Sequence, residues 1–302
     1  MRLSTTVNFF IPSLAASPSS CVVEMKRYKQ LGFDYLDAIM CDAHAKYSPL
    51  RQPDWREWAH WIRQQADYIG VTFIQSHVPF YNFCAAPANL PGDMEEMVDR
   101  SIEAAAIFGA SYTVAHPATA LGAGMVVKVS KAANLDYFSR RLETAARCGI
   151  GIALENMADF DGGGRNRWYC AWVEELCDLI NTLDAGSGLV GACWDFGHAN
   201  LVYSSQREAL LCLGSRLKVT HTHDNCGARD DHLSPFRGTV NWKEIMTTLA
   251  DMGYERDLSF EVKRILNPDA DPVIIDSLWR HLHVVGDCLI EMYNQARANK
   301  AL

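Results

Sequence analysis

Residues 189–222 read LVGACWDFGHANLVYSSQREALLCLGSRLKVTHT, an apolar run followed by a segment of helical periodicity and a second apolar run. The two apolar runs, 190–194 and 217–222, contain β-branched and aromatic residues, which favour buried strands. The segment 204–213 between them has the spacing of a helix. Because strands joined through a helix pair in parallel by a right-handed crossover, this stretch predicts one unit of a parallel sheet.

The same alternation continues in both directions along the chain. Further strands are predicted at 3–9, 35–40, 71–76, 111–115, 151–155 and 257–261. The remaining helices are predicted near 21–31, 53–69, 93–109, 129–148, 168–183, 241–252 and 272–298, with Gly109 and Gly149 as stop signals. Eight rounds without a linker favour closure into a barrel over an open sheet. We therefore predict an α/β fold, a single (β/α)8 TIM barrel that forms one domain over residues 1–302.

Two of the segments that follow predicted strands are unusually long. They run over 76–92 and 156–167, and the second contains Gly162, Gly163 and Gly164. Barrel active sites are built on the face where strands end and helices begin. We interpret both segments as substrate loops and not as domain boundaries.

Composition limits the classes of function. The chain has 302 residues, 49% of them hydrophobic and 21% charged, which is typical of a globular protein with a large core. Its net charge of −8 argues against nucleic-acid binding, because the overall field repels a phosphate backbone. Ten scattered cysteines without a CxxC pair or a signal sequence indicate reduced thiols in the cytoplasm. No stretch approaches the roughly 20 apolar residues that span a bilayer, so no membrane is expected.

Seven polar residues fall at or just after the predicted strand ends. They are His77, His116, Glu155, Asp195, His198, His221 and Glu261. The first two intervals, from His77 to His116 and from there to Glu155, are both 39 residues, which is the length of one βα repeat here. A common repeat brings these side chains to one height around the barrel mouth. Since converging carboxylates repel one another, we predict a divalent cation between them.

The individual signals differ in strength. A histidine after a strand is more often a hydrogen-bonded loop residue than a ligand, whereas a glutamate that ends an apolar run is costly to bury without a partner. Glu155 and Glu261 are therefore the strongest candidates. Strand seven reads VTHTHDN and places His221 and His223 on one face. The loop after it, with Asp230 and His232, is either a solvated polar loop, an active-site lid or a source of two more ligands.

These motifs resemble those of the xylose-isomerase-like barrel superfamily, with a likeness that runs from about residue 77 to residue 261. In its epimerase-type members a glutamate, an aspartate, a histidine and a second glutamate bind one Mn²⁺, Mg²⁺, Co²⁺ or Zn²⁺. The resemblance assigns those roles to Glu155 in LEN, Asp195 in WDFGH, His221 in HTHDN and Glu261 in FEV. His198 resembles the histidine that contacts substrate.

The activity that the resemblance implies is a metal-dependent sugar isomerase or epimerase acting on a ketose or related polyol. Such an enzyme moves a carbon-bound proton through a metal-stabilised enediolate, with Glu155 and Glu261 as the acid and base. The remaining candidates would bind substrate: His198, His223, Arg229 and His77. Homodimers and homotetramers are frequent among these relatives.

Alternatives remain open. Inositol-pathway dehydratases and isomerases share the superfamily. So does endonuclease IV, whose nine zinc ligands resemble nine residues here: His77, His116, Glu155, Asp195, His198, His221, Asp230, His232 and Glu261. Against that zinc phosphodiesterase stand mouth loops with little positive charge and with aromatic residues suited to a sugar, namely Phe80, Tyr81, Phe83, Trp168 and Tyr169. A non-catalytic sugar-binding barrel is the third alternative.

Overall fold

Eight parallel strands form one sheet in the computed structural model, which describes residues 1–8, 20–85, 92–121, 126–158, 167–262 and 271–300. The strands are β1 Arg2–Asn8, β2 Tyr35–Ile39, β3 Thr72–His77, β4 Tyr112–Ala115, β5 Gly151–Glu155, β6 Val190–Asp195, β7 Leu217–His221 and β8 Asp257–Phe260. Their order is β7-β6-β5-β4-β3-β2-β1-β8, so each strand from β1 to β7 lies beside the next one in the sequence. All eight predicted strands are found, within two residues of their predicted bounds wherever these fall on described residues.

The sheet closes between β7 and β8. Just past β7, Thr222 forms a parallel bridge with Phe260, and its backbone N–H donates to the carbonyl of Ser259 at 2.7 Å. The backbone N–H of Glu261 donates to the carbonyl of Thr222 at 3.2 Å. The predicted TIM barrel is therefore confirmed, and the closing seam lies next to two candidate site residues, His221 and Glu261.

Helices separate the strands along the chain. They are α1 Ser20–Gln30, α2 Trp55–Ile69, α3 Met94–Phe108, α4 Val126–Cys148, α5 Val173–Asp184, α6 Phe196–Asn200, α7 Arg207–Leu213, α8 Trp242–Met252 and α9 Pro272–Lys300. The predicted stops act as expected: Gly109 follows α3 with φ 94° and Gly149 follows α4 with φ 70°. The sequence did not predict the five-residue helix α6, which begins directly after Asp195.

The interior of the barrel is unusually polar. Asp37, Gln75, Thr220, His221 and Ser259 are all fully buried, while the large apolar side chains pack mainly between the sheet and the helices. The side-chain amide of Gln75 in β3 donates to the carbonyl of Thr220 in β7 at 3.3 Å. These strands are not neighbours, so the contact crosses the barrel. Except for Asp37 in β2, these buried polar residues lie in strands whose carboxyl ends carry candidate site residues.

Two predictions from composition can be compared with the described residues. All ten cysteines are free thiols. Within the ranges that the structure covers, none of the helices has both the length and the apolar character needed to cross a bilayer. Of the loop glycines, Gly162, Gly163 and Gly164 lie outside the described residues.

Candidate metal centre and active site

The candidate residues gather at the carboxyl end of the barrel. Four strands end on one of them: His77 ends β3, Glu155 ends β5, Asp195 ends β6 and His221 ends β7. Two more come directly after strands, His116 after β4 and Glu261 after β8. The carboxyl ends of parallel strands meet at one face of a barrel, so the repeat of about 40 residues brings these side chains together.

Glu155 is the central residue of the site and is only 1% exposed. Its Oε2 lies 2.8 Å from His116 Nε2 and 3.3 Å from His77 Nε2, and its Oε1 lies 3.0 Å from His221 Nδ1. Burial alone would raise the pKa of Glu155. The imidazoles of His221 and His116 outweigh burial and hold this pKa well below its ordinary value. The side chain is therefore a carboxylate.

Four buried residues point ligand atoms at one another: Glu155, Asp195, His221 and Glu261. One ligand atom from each lies within 4.8 Å of the other three, and His221 Nδ1 is 3.3 Å from Glu261 Oε2. Three carboxylates this close and this buried repel one another unless positive charge lies between them. Oxygen donors with one imidazole nitrogen suit Mn²⁺, Mg²⁺, Co²⁺ or Zn²⁺. The residues present therefore fit a divalent cation.

A second group of ligand atoms shares Glu155. His77 Nε2 and His116 Nε2 lie 3.1 Å apart and both face Glu155 Oε2. The other ring nitrogen of His77 lies 2.7 Å from the carbonyl oxygen of Val78, which fixes the orientation of the ring. Two imidazole nitrogens and a carboxylate oxygen directed at one point form a further set that could hold a cation.

A third group joins two residues of the loop after β7, Asp230 and His232, to His198 of α6. Asp230 Oδ2 is 2.8 Å from His232 Nε2 and 3.5 Å from His198 Nε2. Burial acts to raise the pKa of Asp230, but the two histidines overcome this and lower it strongly. Burial also acts to lower the pKa of His198, and Asp195 and Asp230 raise it to about 10. The side chains of Asp230 and His232 are partly exposed, at 24% and 12%, and both line the cavity described below.

Asn156 fixes the backbone around Asp195 and was not among the predicted site residues. Its side-chain Oδ1 accepts from the Asp195 N–H at 2.6 Å, and its Nδ2 donates to the Asp195 carbonyl at 3.0 Å. Asp195 Oδ1 then accepts from the His198 N–H at 2.8 Å as the cap of α6, which leaves Oδ2 to contact His223 Nε2 at 2.9 Å. The sequence feature that could have identified Asn156 is its position directly after Glu155, the glutamate that ends β5.

A cavity of about 270 Å³ opens beside these groups. The described residues that line it are Cys41, His77, Phe80, Tyr81, Asn82, His116, Pro117, Glu155, Met157, Ala158, Trp168, His198, Asp230, His232 and Glu261. Both glutamates predicted to be catalytic therefore face the cavity, and so do His77 and His198. One part of the wall carries ligand atoms, and another is aromatic and aliphatic.

Some predicted residues lie elsewhere. The Arg229 side chain is 78% exposed and forms an ion pair with Asp231 at 2.9 Å, so the structure does not bring it to the cavity. His223 is fully buried behind Asp195. Of the five aromatic residues expected to contact a sugar, Phe83 stacks on Tyr137 with 3.9 Å between ring centroids, and Tyr169 is 1% exposed. Those two side chains pack within the protein and are not among the described residues that line the cavity.

Two further residues at the site, Cys41 and Asp37, were not predicted from the sequence. Cys41 Sγ lies 3.5 Å from His77 Nδ1 at the cavity wall. Asp37 is a fully buried acid in the middle of β2, and its Oδ2 lies 3.3 Å from His221 Nε2. An acidic residue inside the apolar stretch YLDAI was the available sign.

Sequence comparison gives a family match and two curated relatives. The profile of the xylose isomerase-like TIM barrel family matches residues 25–278. An uncharacterized protein of Sinorhizobium fredii is 36% identical over 115 residues, which cover 38% of this chain and 36% of that protein. The chain thus matches about a third of that relative's length. An uncharacterized protein of Methanocaldococcus jannaschii is 27% identical over 265 residues, which cover 86% of this chain and 85% of that protein.

Solved structures with this fold include several sugar epimerases. A D-tagatose 3-epimerase-like protein superposes with a TM-score of 0.73 at 22% identity, covering 98% of this chain and 99% of that one. D-psicose 3-epimerase from Clostridium cellulolyticum H10 gives 0.69 at 15% identity, with 98% and 99% covered. An L-ribulose 3-epimerase gives 0.71 at 16% identity, with 98% and 96% covered. At these identities the likeness shows the fold alone.

Proposed function

Because the chain belongs to the xylose isomerase-like TIM barrel family, we propose that it is a divalent-metal-dependent isomerase or epimerase that acts on a ketose or a related polyol. The observation that carries the proposal is the convergence of Glu155, Asp195, His221 and Glu261 within 4.8 Å beside a cavity of about 270 Å³. The sugar 3-epimerases among the solved structures with this fold support the substrate class.

The four converging residues would hold the cation. When bound, a divalent ion supplies positive charge that stabilises negative charge developing on substrate oxygens. The chain itself supplies the rest of the chemistry. It must orient the substrate, remove a proton from carbon and return one.

Glu155 and Glu261 are the groups we assign to proton transfer. Both line the cavity, and they come from β5 and from just after β8, three strands apart around the barrel. One carboxylate would take the carbon-bound proton and the other would return a proton from a different direction. Four imidazoles lie within 3.7 Å of the Glu155 oxygens, so it is a weak base in this environment. Glu261 Oε2 lies 3.3 Å from His221 Nδ1 and 3.9 Å from His232 Nδ1, and we assign the proton abstraction to it.

The cavity wall indicates how a sugar would be held. His198 and His77 line the cavity as polar residues, while Phe80, Tyr81 and Trp168 offer surface for the apolar face of a sugar. No lysine or arginine is among the described residues of this wall. We therefore favour a free sugar over a phosphorylated one.

The test is a screen of ketoses and inosols in deuterated water, with the purified protein supplied with Mn²⁺, Co²⁺, Mg²⁺ or Zn²⁺. We expect deuterium at one carbon of a substrate, and the position and product distinguish epimerisation, isomerisation and dehydration. An inosol product would identify the inositol-type reaction. Absence of exchange from every candidate would overturn the proposal and leave a sugar-binding barrel.

A second candidate is a phosphodiesterase that uses several zinc ions. It is favoured by the ligand atoms beyond the first four: His77 and His116 around Glu155, and Asp230, which contacts His198 and His232. Multinuclear sites can stabilise both oxygens of a phosphoryl transfer. Elemental analysis separates the two, since one ion per chain supports sugar chemistry and three zinc ions support phosphodiester hydrolysis.

A further inference from the structure

Asp37 occupies an unusual position for an acidic residue. It is the third residue of β2, with its side chain inside the barrel and no exposure to solvent. A buried carboxylate is costly unless it is paired or hydrogen-bonded. Its partners therefore indicate its role.

Three side chains approach Asp37 Oδ2. Gln75 Nε2 donates to it at 2.8 Å, Ser259 Oγ lies at 3.4 Å, and His221 Nε2 lies at 3.3 Å. Of these three, only the imidazole can carry a positive charge. His221 is in β7, which is not adjacent to β2 in the sheet, so this contact crosses the barrel interior.

The other side of the His221 ring faces the metal centre. His221 Nδ1 lies 3.0 Å from Glu155 Oε1 and 3.3 Å from Glu261 Oε2. A neutral imidazole carries its proton on one nitrogen only. If the proton is on Nε2, on the side that faces Asp37, then Nδ1 presents a lone pair to the centre, which is the form a ligand requires.

We propose that Asp37 is a positioning residue that fixes the orientation and the tautomer of His221 and so sets the affinity of the centre for a divalent cation. The inference rests on the proposed metal site, but it does not depend on which substrate the enzyme turns over. Asp37 is not among the described residues that line the cavity. It acts through the ring of His221.

The test is a Co²⁺ titration of the metal-free protein, followed by visible absorption, for the wild type and three variants. Asp37→Asn keeps an oxygen that can accept the His221 proton but removes the charge, and Asp37→Ala removes both. Ser259→Ala is the matched control, because it removes another contact to Asp37 and leaves His221 alone. Loss of a carboxylate behind a ligating histidine typically weakens binding about 10–100-fold. We expect about 10-fold for Asp37→Asn, more for Asp37→Ala, and less than about twofold for Ser259→Ala.

The outcomes separate this inference from the proposed function. If Asp37→Asn and Asp37→Ala bind Co²⁺ as tightly as the wild type, the role of Asp37 is wrong. If Asp37→Ala does not fold, the isosteric Asp37→Asn decides. A wild type that binds no Co²⁺ would overturn the metal centre and this inference together. A wild type that binds Co²⁺ but exchanges no sugar proton would remove only the sugar activity, and the graded loss in the variants would still support Asp37.

Discussion

Gly197 lies against the imidazole of His223, so closely that a Cβ at residue 197 would meet His223 Cε1 at 2.0 Å and Nδ1 at 2.3 Å. The same ring contacts Asp195 Oδ2 through Nε2 at 2.9 Å. Gly197 therefore permits the close approach between the first turn of α6 and the segment just after β7. Asp195 and His223 could not keep their contact if any side chain were present at this position.

Gly197→Ala is expected to displace His223 and, with it, the carboxylate of Asp195. Overpacking in a well-packed site typically costs about 1–3 kcal/mol of unfolding free energy. We expect this loss in urea denaturation together with weaker binding of Co²⁺. The control is Gly92→Ala, where a Cβ meets no atom within 4 Å. Unchanged cation binding in Gly197→Ala would show that Asp195 is held independently of His223.

Glu155→Gln and Glu261→Gln are each expected to abolish turnover while the protein remains folded. An acid or base in a proton-transfer step typically contributes about 10²–10⁴-fold to the rate. Turnover and the circular dichroism spectrum measure the two parts of the prediction. Glu291→Gln, on the exposed face of α9, is the control and should retain full activity. A near-normal rate in either site variant would remove that residue from the proton-transfer step.

The sequence predicted the barrel and the position of the strand-ending residues because both follow from local patterns. Alternation of apolar runs with helical periodicity predicts the βα repeat. The intervals of 39 and 40 residues then place Glu155 and Asp195 at the same face. This prediction depends only on the length of the repeat and not on contacts between particular side chains.

Contacts across the barrel and the packing of loops could not be predicted in the same way. Asp37 and His221 are 184 residues apart in the sequence, and nothing local indicates that their side chains meet. Arg229 looked suited to substrate, but its neighbour Asp231 holds it at the surface. Tyr169 looked like a loop residue, and the turn before α5 buries it. In each case tertiary packing decides where the side chain points.

Removal of the divalent cation is expected to lower both activity and thermal stability. A ligand that binds only the folded state stabilises it by about 2.7 kcal/mol at a concentration 100 times its Kd. We expect chelation to lower the Tm of the wild type and added Mn²⁺ or Co²⁺ to restore it. The shift should be much smaller in Glu155→Gln, which lacks a central ligand. Equal shifts in both proteins would place the stabilising ion elsewhere.

Asp224→Asn is expected to loosen the loop that carries Asp230 and His232. The fully buried Asp224 carboxylate accepts four hydrogen bonds. Oδ1 accepts from the backbone N–H groups of residues 225 and 240, at 2.8 and 3.1 Å. Oδ2 accepts from the N–H of residue 236 and from Nε1 of Trp242, both at 3.0 Å. An asparagine would turn an NH₂ group toward two of these donors and leave them unsatisfied.

A hydrogen bond to a charged acceptor contributes about 1.5–3 kcal/mol, and a buried donor left without a partner adds its own cost. For Asp224→Asn we therefore expect the free energy of unfolding, measured by urea denaturation, to fall by about 2–4 kcal/mol. Because Asp224 fixes the loop at both ends, Co²⁺ binding that involves Asp230 and His232 should weaken as well. Asp231→Asn is the matched control, because Asp231 forms an ion pair with Arg229, whose side chain is 78% exposed. Because the Arg229 end of this pair is solvent-exposed, the pair contributes at most about 1 kcal/mol, and the control should remain near the wild type. If Asp224→Asn were as stable as the control, the loop would be held by its other contacts, and the buried carboxylate would have to be explained by another role.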